Sequence, residues 1–227
     1  MPLAGLERPV SADVRPSLRT EVLEVLLDRH GRRVTREDVT TALAVHGPGV
    51  AAALDALLAE QTVHEQDGRL ALTELGQQRA MVAVRRHRLT ERLLSDLLGV
   101  EWWQVHHEAE SFEGRITPVL EARLVEVLGD PGTCPHGNPI PGSANRPDQT
   151  RAVRLADAPV GPVTVVRITE TLEGDDEALQ LLQACGFVPG RDAELKRREQ
   201  GWVEVAGTVH DAALPPHVAA HTYVLPR

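Results

Sequence analysis

One stretch, residues 129–150, constrains this chain more than any other. It carries GDPG and then CPHGNPIPG, a density of Gly and Pro that interrupts both helices and ladders. Before it, apolar residues recur at helical spacing. From Val153 onward they fall in short runs separated by turn residues. Helices first and strands second predict an α+β chain with segregated layers. At 227 residues and 42% hydrophobic content, the chain can fill several modest cores. We expect three domains, 1–72, 73–145 and 146–227.

The first third has its own signature. Residues 17–29 repeat Leu and Val at helical spacing, and Gly31 follows as a stop. Thr35 opens a second helix, with Asp38 three residues on as a capping-box acid. A turn through His46, Gly47 and Pro48 leads into a third helix, to about Glu60. Asp67-Gly68 then joins two short strands. Two helices, a tight turn, a third helix and a hairpin predict a winged helix-turn-helix, a DNA-reading module.

In the middle third, residues 73–98 read as one long helix, followed by helices over Glu101–Glu113 and Pro118–Leu128. Of Trp102 and Trp103, one is expected in a core and one at an interface. The last third reads as a small β-barrel of short strands, interrupted by the helix DEALQLLQACG.

Composition excludes several classes. The net charge of −9 argues against a purely electrostatic nucleic-acid binder, but not against a reader whose bases cluster on one face. Aromatics at 3% are too few for single-strand stacking platforms. No apolar run is long enough to span a membrane, and the N-terminus lacks a secretory pattern. Two cysteines make no disulfide framework and suit a cytoplasmic protein. The chain has no HExxH motif and no activated nucleophile, so we expect no enzyme and no small organic substrate.

Chemistry concentrates on the middle helices. His106, Glu110 and Glu113 fall within roughly 60° of one another on a helical wheel. His87 and Glu91, spaced i,i+4 on the preceding helix, form a second stripe. Imidazole with several carboxylates suits Mn²⁺ or Fe²⁺, whereas thiolates favour softer ions. Either pair alone is better explained by surface salt bridging to Arg88 and Arg92; both on consecutive helices shift the balance towards a metal. Cys134 and His136, with no second Cys nearby, read instead as parts of a rigid turn. Arg32, Arg33 and Arg36, at the start of the second helix, suit phosphate contacts or, equally, a solvated charged face.

The strings RRHRLTERLLSDLLGV, VHHEAESFEGRITPVLEARLVEVLGDP and CPHGNPIPG resemble the diphtheria-toxin-repressor family of metal-dependent transcriptional repressors. The last third (LADAPVGPVTVVRI, GFVPG, ALPPHVAAHTYV) is similar to that family's SH3-like, FeoA-type barrel. The resemblance implies a winged helix-turn-helix, a helical dimerisation and metal domain, and the barrel. It assigns His87, Glu91 and His106 to an ancillary metal site, which Asp175 or Glu177 would complete. It assigns Glu110 and Glu113 to a regulatory site, with Glu21 as the first-helix ligand. Gly114 stands where the family motif has His. The iron-responsive branch has Cys where this chain has Glu110, so Mn²⁺ is the expected cofactor and Fe²⁺ the alternative. DNA contacts would come from Arg32, Arg33, Arg36, His46, Pro48, Gly49, Ala51 and Ala52. The implied function is a homodimeric, Mn²⁺-dependent repressor of metal-transport genes on a palindromic operator. The alternatives are an iron-responsive member and a metal-independent winged-helix regulator.

Overall fold

Apolar residues spaced by three and four along Leu18–Asp28 bury Val22, Leu23 and Leu26 on one side of helix α1. This computed structural model describes residues 18–29, 31–44, 47–112 and 114–227, so His46 and Glu113 lie outside the described residues. Helix α2 (Arg36–Ala42) starts on a complete capping box, in which Thr35 and Asp38 bond each other's backbone N–H. Helix α3 (Gly49–Ala59) buries Val50, Ala53, Leu54 and Leu57 and leaves Ala51, Ala52 and Asp55 exposed. Strands β1 (Val63–Gln66) and β2 (Arg69–Leu72) pair antiparallel. Their turn residues Asp67 and Gly68 both have positive φ, which matches the right-handed strand twist. Val34 bridges to Leu70, and one core runs from α1 through the hairpin to Ala80.

Helix α4 (Glu74–Arg92) begins on Thr73, whose hydroxyl accepts from the Gly76 N–H. It ends earlier than the predicted residue 98, because Leu93–Leu97 form a π-helical turn. The predicted helix 101–113 is also shorter. Only Val105–Glu110 is α-helical (α5), and residues 102–104 make a turn. Both tryptophans pack, half-buried, against the barrel core. The Trp102 indole donates to the Pro135 carbonyl at 2.9 Å. Helix α6 (Pro118–Leu128) has a Thr117 cap and stops at Gly129 in the left-handed conformation.

The C-terminal unit is a six-stranded antiparallel sheet with strand order β3-β8-β4-β5-β6-β7. Its strands are β3 (Val153–Arg154), β4 (Gly161–Ile168), β5 (Asp192–Glu199), β6 (Trp202–Ala206), β7 (Asp211–Leu214) and β8 (Thr222–Pro226). Three helices accompany it: α7 (Glu170–Glu173), α8 (Asp176–Cys185) and α9 (Pro216–His221). Only α8 was legible in the sequence. The sheet wraps a core that includes Val163, Leu179, Phe187, Leu195 and Val224. The structure has the expected α+β, SH3-like build.

The Gly/Pro stretch is not an ordinary surface loop. Cys134, His136, Asn138 and Ile140 are each fully buried. Arg92 donates to the carbonyls of Thr133 and Cys134, which pins the stretch to α4. The Ile168 N–H donates to the His136 carbonyl at 2.8 Å, which pins it to β4. Gly137, at φ +87°, lies so close to the Val166 carbonyl and Arg167 that a Cβ would collide. Only glycine lets the loop approach the strand this closely.

Candidate metal centre

Helix α4 turns His87 and Glu91 onto one buried face, where Glu91 is wholly inaccessible to solvent. Helix α5 brings His106 against them. His87 Nε2 lies 3.1 Å from His106 Nδ1, and His106 Nδ1 lies 3.3 Å from Glu91 Oε1. Helix α7 supplies Glu173 from the barrel, with Oε2 3.0 Å from His106 Nδ1. The buried loop supplies His136, whose Nδ1 lies 3.2 Å from Glu173 Oε2 and 3.5 Å from Glu91 Oε1. Three imidazoles and two carboxylates from four chain segments thus converge on one place. Cys134 Sγ belongs to its margin, grouped with Glu91 and His136.

Supporting contacts orient the donors. His136 Nε2 is 3.1 Å from the Trp102 carbonyl, so that nitrogen keeps a proton and Nδ1 faces inward, where it offers a lone pair once its own proton leaves. The Asn138 amide donates to Glu173 Oε1 at 2.5 Å and to the Ile168 carbonyl at 2.7 Å, which leaves Oε2 for the centre. His87 Nδ1, His136 Nδ1, Glu91 Oε2 and Glu173 Oε2 are buried without hydrogen-bond partners. Orphaned polar atoms at this density are costly unless a cation satisfies some of them.

The electrostatics agree. Burial alone would push the Glu91 carboxyl up, but His106, His136 and His87 hold it well below the usual carboxylate range. Burial likewise opposes the ionised form of Glu173, and His136 overcomes it. Burial works against a charged His136, yet Glu173 and Glu91 raise its pKa to about 10. His106 is raised by the same two carboxylates against its burial. Without a cation these imidazoles hold protons that neutralise the carboxylates. A divalent ion supplies the same positive charge once those protons leave, so the residues fit one. Burial, and then the charges of Glu91 and Glu173, raise the Cys134 thiol well above its normal value. It stays protonated beside a hard donor set.

The other predicted site residues are distributed differently. Glu110 meets His107 at 3.2 Å and His106 Nε2 at 3.8 Å, on the wall of a cavity of about 650 Å³. Glu21 and Glu24 of α1 line the same cavity, with Glu170 opposite. Glu113, the companion of Glu110, lies outside the described residues. Asp175 and Glu177 are corrected. Asp175 caps α8 by accepting from the Ala178 N–H and pairs with His217, and Glu177 is exposed. Glu173, two residues before Asp175, is the barrel residue at the centre. The preference for a simple turn over CPHG is corrected too, since the turn carries His136 and Cys134 inward. Among the DNA candidates, Pro48, Ala51 and Ala52 are exposed at or near the start of α3, and Gly49 is half-buried. Arg32 and Arg33 are exposed beside the cavity. Arg36 is tied to Asp55 and Glu65, both at 2.9 Å.

A winged helix joined to a buried His/Glu centre and an SH3-like sheet is the build of a metal-dependent transcriptional repressor. The family model "Iron dependent repressor, metal binding and dimerisation domain" matches residues 73–142. The iron-dependent repressor IdeR of Mycobacterium tuberculosis is 38% identical over 165 residues, 68% of this chain and 72% of that protein. The diphtheria toxin repressor of Corynebacterium efficiens is 35% identical over 188 residues, 79% of this chain and 81% of that one. A solved manganese-dependent transcriptional repressor in complex with manganese aligns with a TM-score of 0.75 and 26% identity, covering 92% of this chain and 100% of that chain. The crystal structure of T. acidophilum IdeR aligns at 0.71 and 26%, covering 93% and 97%. This chain belongs to the iron-dependent repressor family of metal-dependent transcriptional repressors.

Proposed function

We propose that this chain is a homodimeric repressor that binds palindromic operator DNA when it holds Mn²⁺, and that it controls metal-transport genes. The observation that carries this reading is the buried convergence of His87, Glu91, His106, His136 and Glu173. When bound, the ion would supply positive charge that holds the two carboxylates together. Glu91 and Glu173 then fix α4 against α7, and His106 and His136 add α5 and the buried loop to the same cluster. Imidazole and carboxylate donors beside a protonated thiol suit Mn²⁺ or Fe²⁺ over softer ions, and Glu110 in place of a thiolate inclines the choice to Mn²⁺. Glu21, Glu110 and Glu113 would form a second, regulatory site around the cavity. Exposed Leu97, Leu98, Val119, Leu120 and Val127 on the helical unit supply an apolar face for a second copy. Pro48, Gly49, Ala51 and Ala52 would touch bases, and Arg32 and Arg33 phosphates. We propose the partition at residues 72 and 145 as the division between the DNA-binding, dimerisation and barrel units, and a cytoplasmic location for the protein.

Fe²⁺ is the second reading, favoured by the iron-dependent relatives at 38% identity. Calorimetry with Mn²⁺ and with Fe²⁺ under nitrogen ranks the two ions. A duplex selected from a random library in the presence of Mn²⁺ then tests the repressor reading by fluorescence anisotropy. Equal binding with Mn²⁺ and with chelator would reject it.

A further inference from the structure

The cavity of about 650 Å³ between the winged unit and the barrel is lined by groups of both signs. Its acids have other roles. Arg88 holds Glu24, Asp28 and Glu170 at 2.5 to 3.5 Å. Asp38 accepts from the Thr35 N–H and hydroxyl. Glu21 and Glu110 belong to the second metal site proposed above. The bases on the barrel wall are left with far fewer partners.

That wall is built by the sheet. Strand β8 runs between β3 and β4, and Tyr223 is opposed by Arg154 on one side and by Arg167 on the other. Directly opposed residues share a face, so Arg154, Tyr223 and Arg167 form one row. A regular ladder would set Val166 opposite Tyr223. A bulge between Val165 and Arg167 sets the arginine there instead. The Arg167 guanidinium lies 4.5 Å over the Tyr223 ring and has no ion pair among the described residues. A guanidinium held by its face keeps the N–H groups of its edge for another acceptor. Arg154 meets Asp157 through Nε at 2.7 Å, and its terminal N–H groups remain.

His221, half-buried at the end of α9, lines the same wall. Its Nδ1 lies 2.9 Å from the Thr169 hydroxyl, which leaves Nε2 for the cavity. Burial, and then Arg29, His217 and Arg154, lower its pKa. Those three bases therefore all stand near one imidazole. Arg29, just past α1, comes from the winged unit and touches only the Asp38 carbonyl, at 3.4 Å.

We propose that Arg29, Arg154, Arg167 and His221 form a site for a small phosphate-bearing anion of the pyrophosphate class, held between the winged unit and the barrel. The site is independent of the metal centre. A planar carboxylate offers one pair of oxygens to one guanidinium fork. A phosphate group offers oxygens in several directions and carries roughly two negative charges. Donors on opposite walls therefore suit phosphate better. A DNA duplex, whose major groove alone is about 12 Å wide, is too broad to enter the cavity. An anion that touches both walls ties the winged unit to the barrel and stabilises the chain in proportion to its binding.

Calorimetry of the full chain with inorganic pyrophosphate, in metal-free buffer, should show one site with a Kd below about 1 mM. Arg29→Gln and Arg167→Gln should each weaken it by about tenfold or more. Arg191→Gln, which removes an exposed barrel arginine outside the cavity, should leave it within about twofold. If Arg167→Gln fails to fold, the wild type supplies a second readout: the pKa of His221, followed by NMR, should rise as pyrophosphate fills the site. Absence of pyrophosphate binding, an equal loss in Arg191→Gln, or an unmoved His221 overturns the proposal. It is also overturned if Arg29→Gln and Arg167→Gln weaken a fluorescent duplex at fixed salt while pyrophosphate does not bind, because the arginines then serve the DNA backbone.

Discussion

The two acidic regions near α5 are built from the same residue types and end in opposite conditions. Around Glu91 and Glu173 the donors are buried, their supporting hydrogen bonds come from the backbone and Asn138, and several atoms lack partners. Around Glu110 the cavity is open, and that carboxylate, only partly buried, meets exposed His107. Burial separates a preorganised centre from a carboxylate at the edge of an open cavity. A carboxylate that water can reach costs little when empty and gains little when filled; one that water cannot reach depends on its counter-charge.

The strongest way to break this contrast is at Glu91. Glu91→Gln keeps the shape and removes the charge, so Mn²⁺ affinity should fall by about 100-fold or more, read by calorimetry. A loss of less than about threefold would show that the buried cluster is only an ion-pair network. Next comes His136→Ala, expected to weaken Mn²⁺ by about 10- to 100-fold, since it removes an inward lone pair while Trp102 retains its other contacts. Glu110→Ala should leave that affinity within about threefold. It should instead remove a weaker second binding event if the cavity site fills, and an unchanged second event would reject its assigned role.

Acidity sharpens the comparison. His136 has its pKa raised to about 10, and His106 is raised too, so both bind protons that a metal must displace. Mn²⁺ affinity at the buried centre should therefore keep rising with pH until about pH 10. In chelator, the stabilisation from protonated His136 is fully present below its unfolded value of about 6.5 and is lost as pH climbs towards 10. Thermal melts of chelated protein should thus weaken over that window more than those of Mn²⁺-loaded protein. Parallel curves would rule this out. The smallest effect is expected at Asp175→Ala. Loss of the α8 cap should cost about 1 kcal/mol in denaturant melts and leave Mn²⁺ binding untouched.

Much of the fold was legible because local physics and tertiary structure agree there. The Thr35 box, the Asp67-Gly68 turn and the Thr117–Gly129 pair each mark an element by a side chain's own chemistry. At the centre, His87, Glu91 and His106 were legible because helical periodicity places them on facing stripes. Glu173 and His136 were not, because both depend on the barrel docking against α4 and α5. The helix α7 that aims Glu173 is a single turn, too short to show a period. The family resemblance therefore pointed past it, to Asp175 and Glu177. His136 was hidden differently. Gly and Pro usually announce an exposed connection, and here they permit a buried one. The isolated Cys-Pro-His was the available signal, and no spacing rule assigned it. The π-helical turn at Leu93–Leu97 also escaped, since its residues keep a helical pattern while the hydrogen-bond register changes.

Gly137 carries no functional group, yet its missing Cβ decides how closely the loop meets β4. Its neighbour on one side is His136, and Asn138 on the other steadies Glu173. In a saturation scan of the whole gene, this silent position should tolerate substitution as poorly as the histidine beside it. The chain would then be constrained at 137 by the space it lacks, and descendants that drift freely across the barrel surface would keep that one gap.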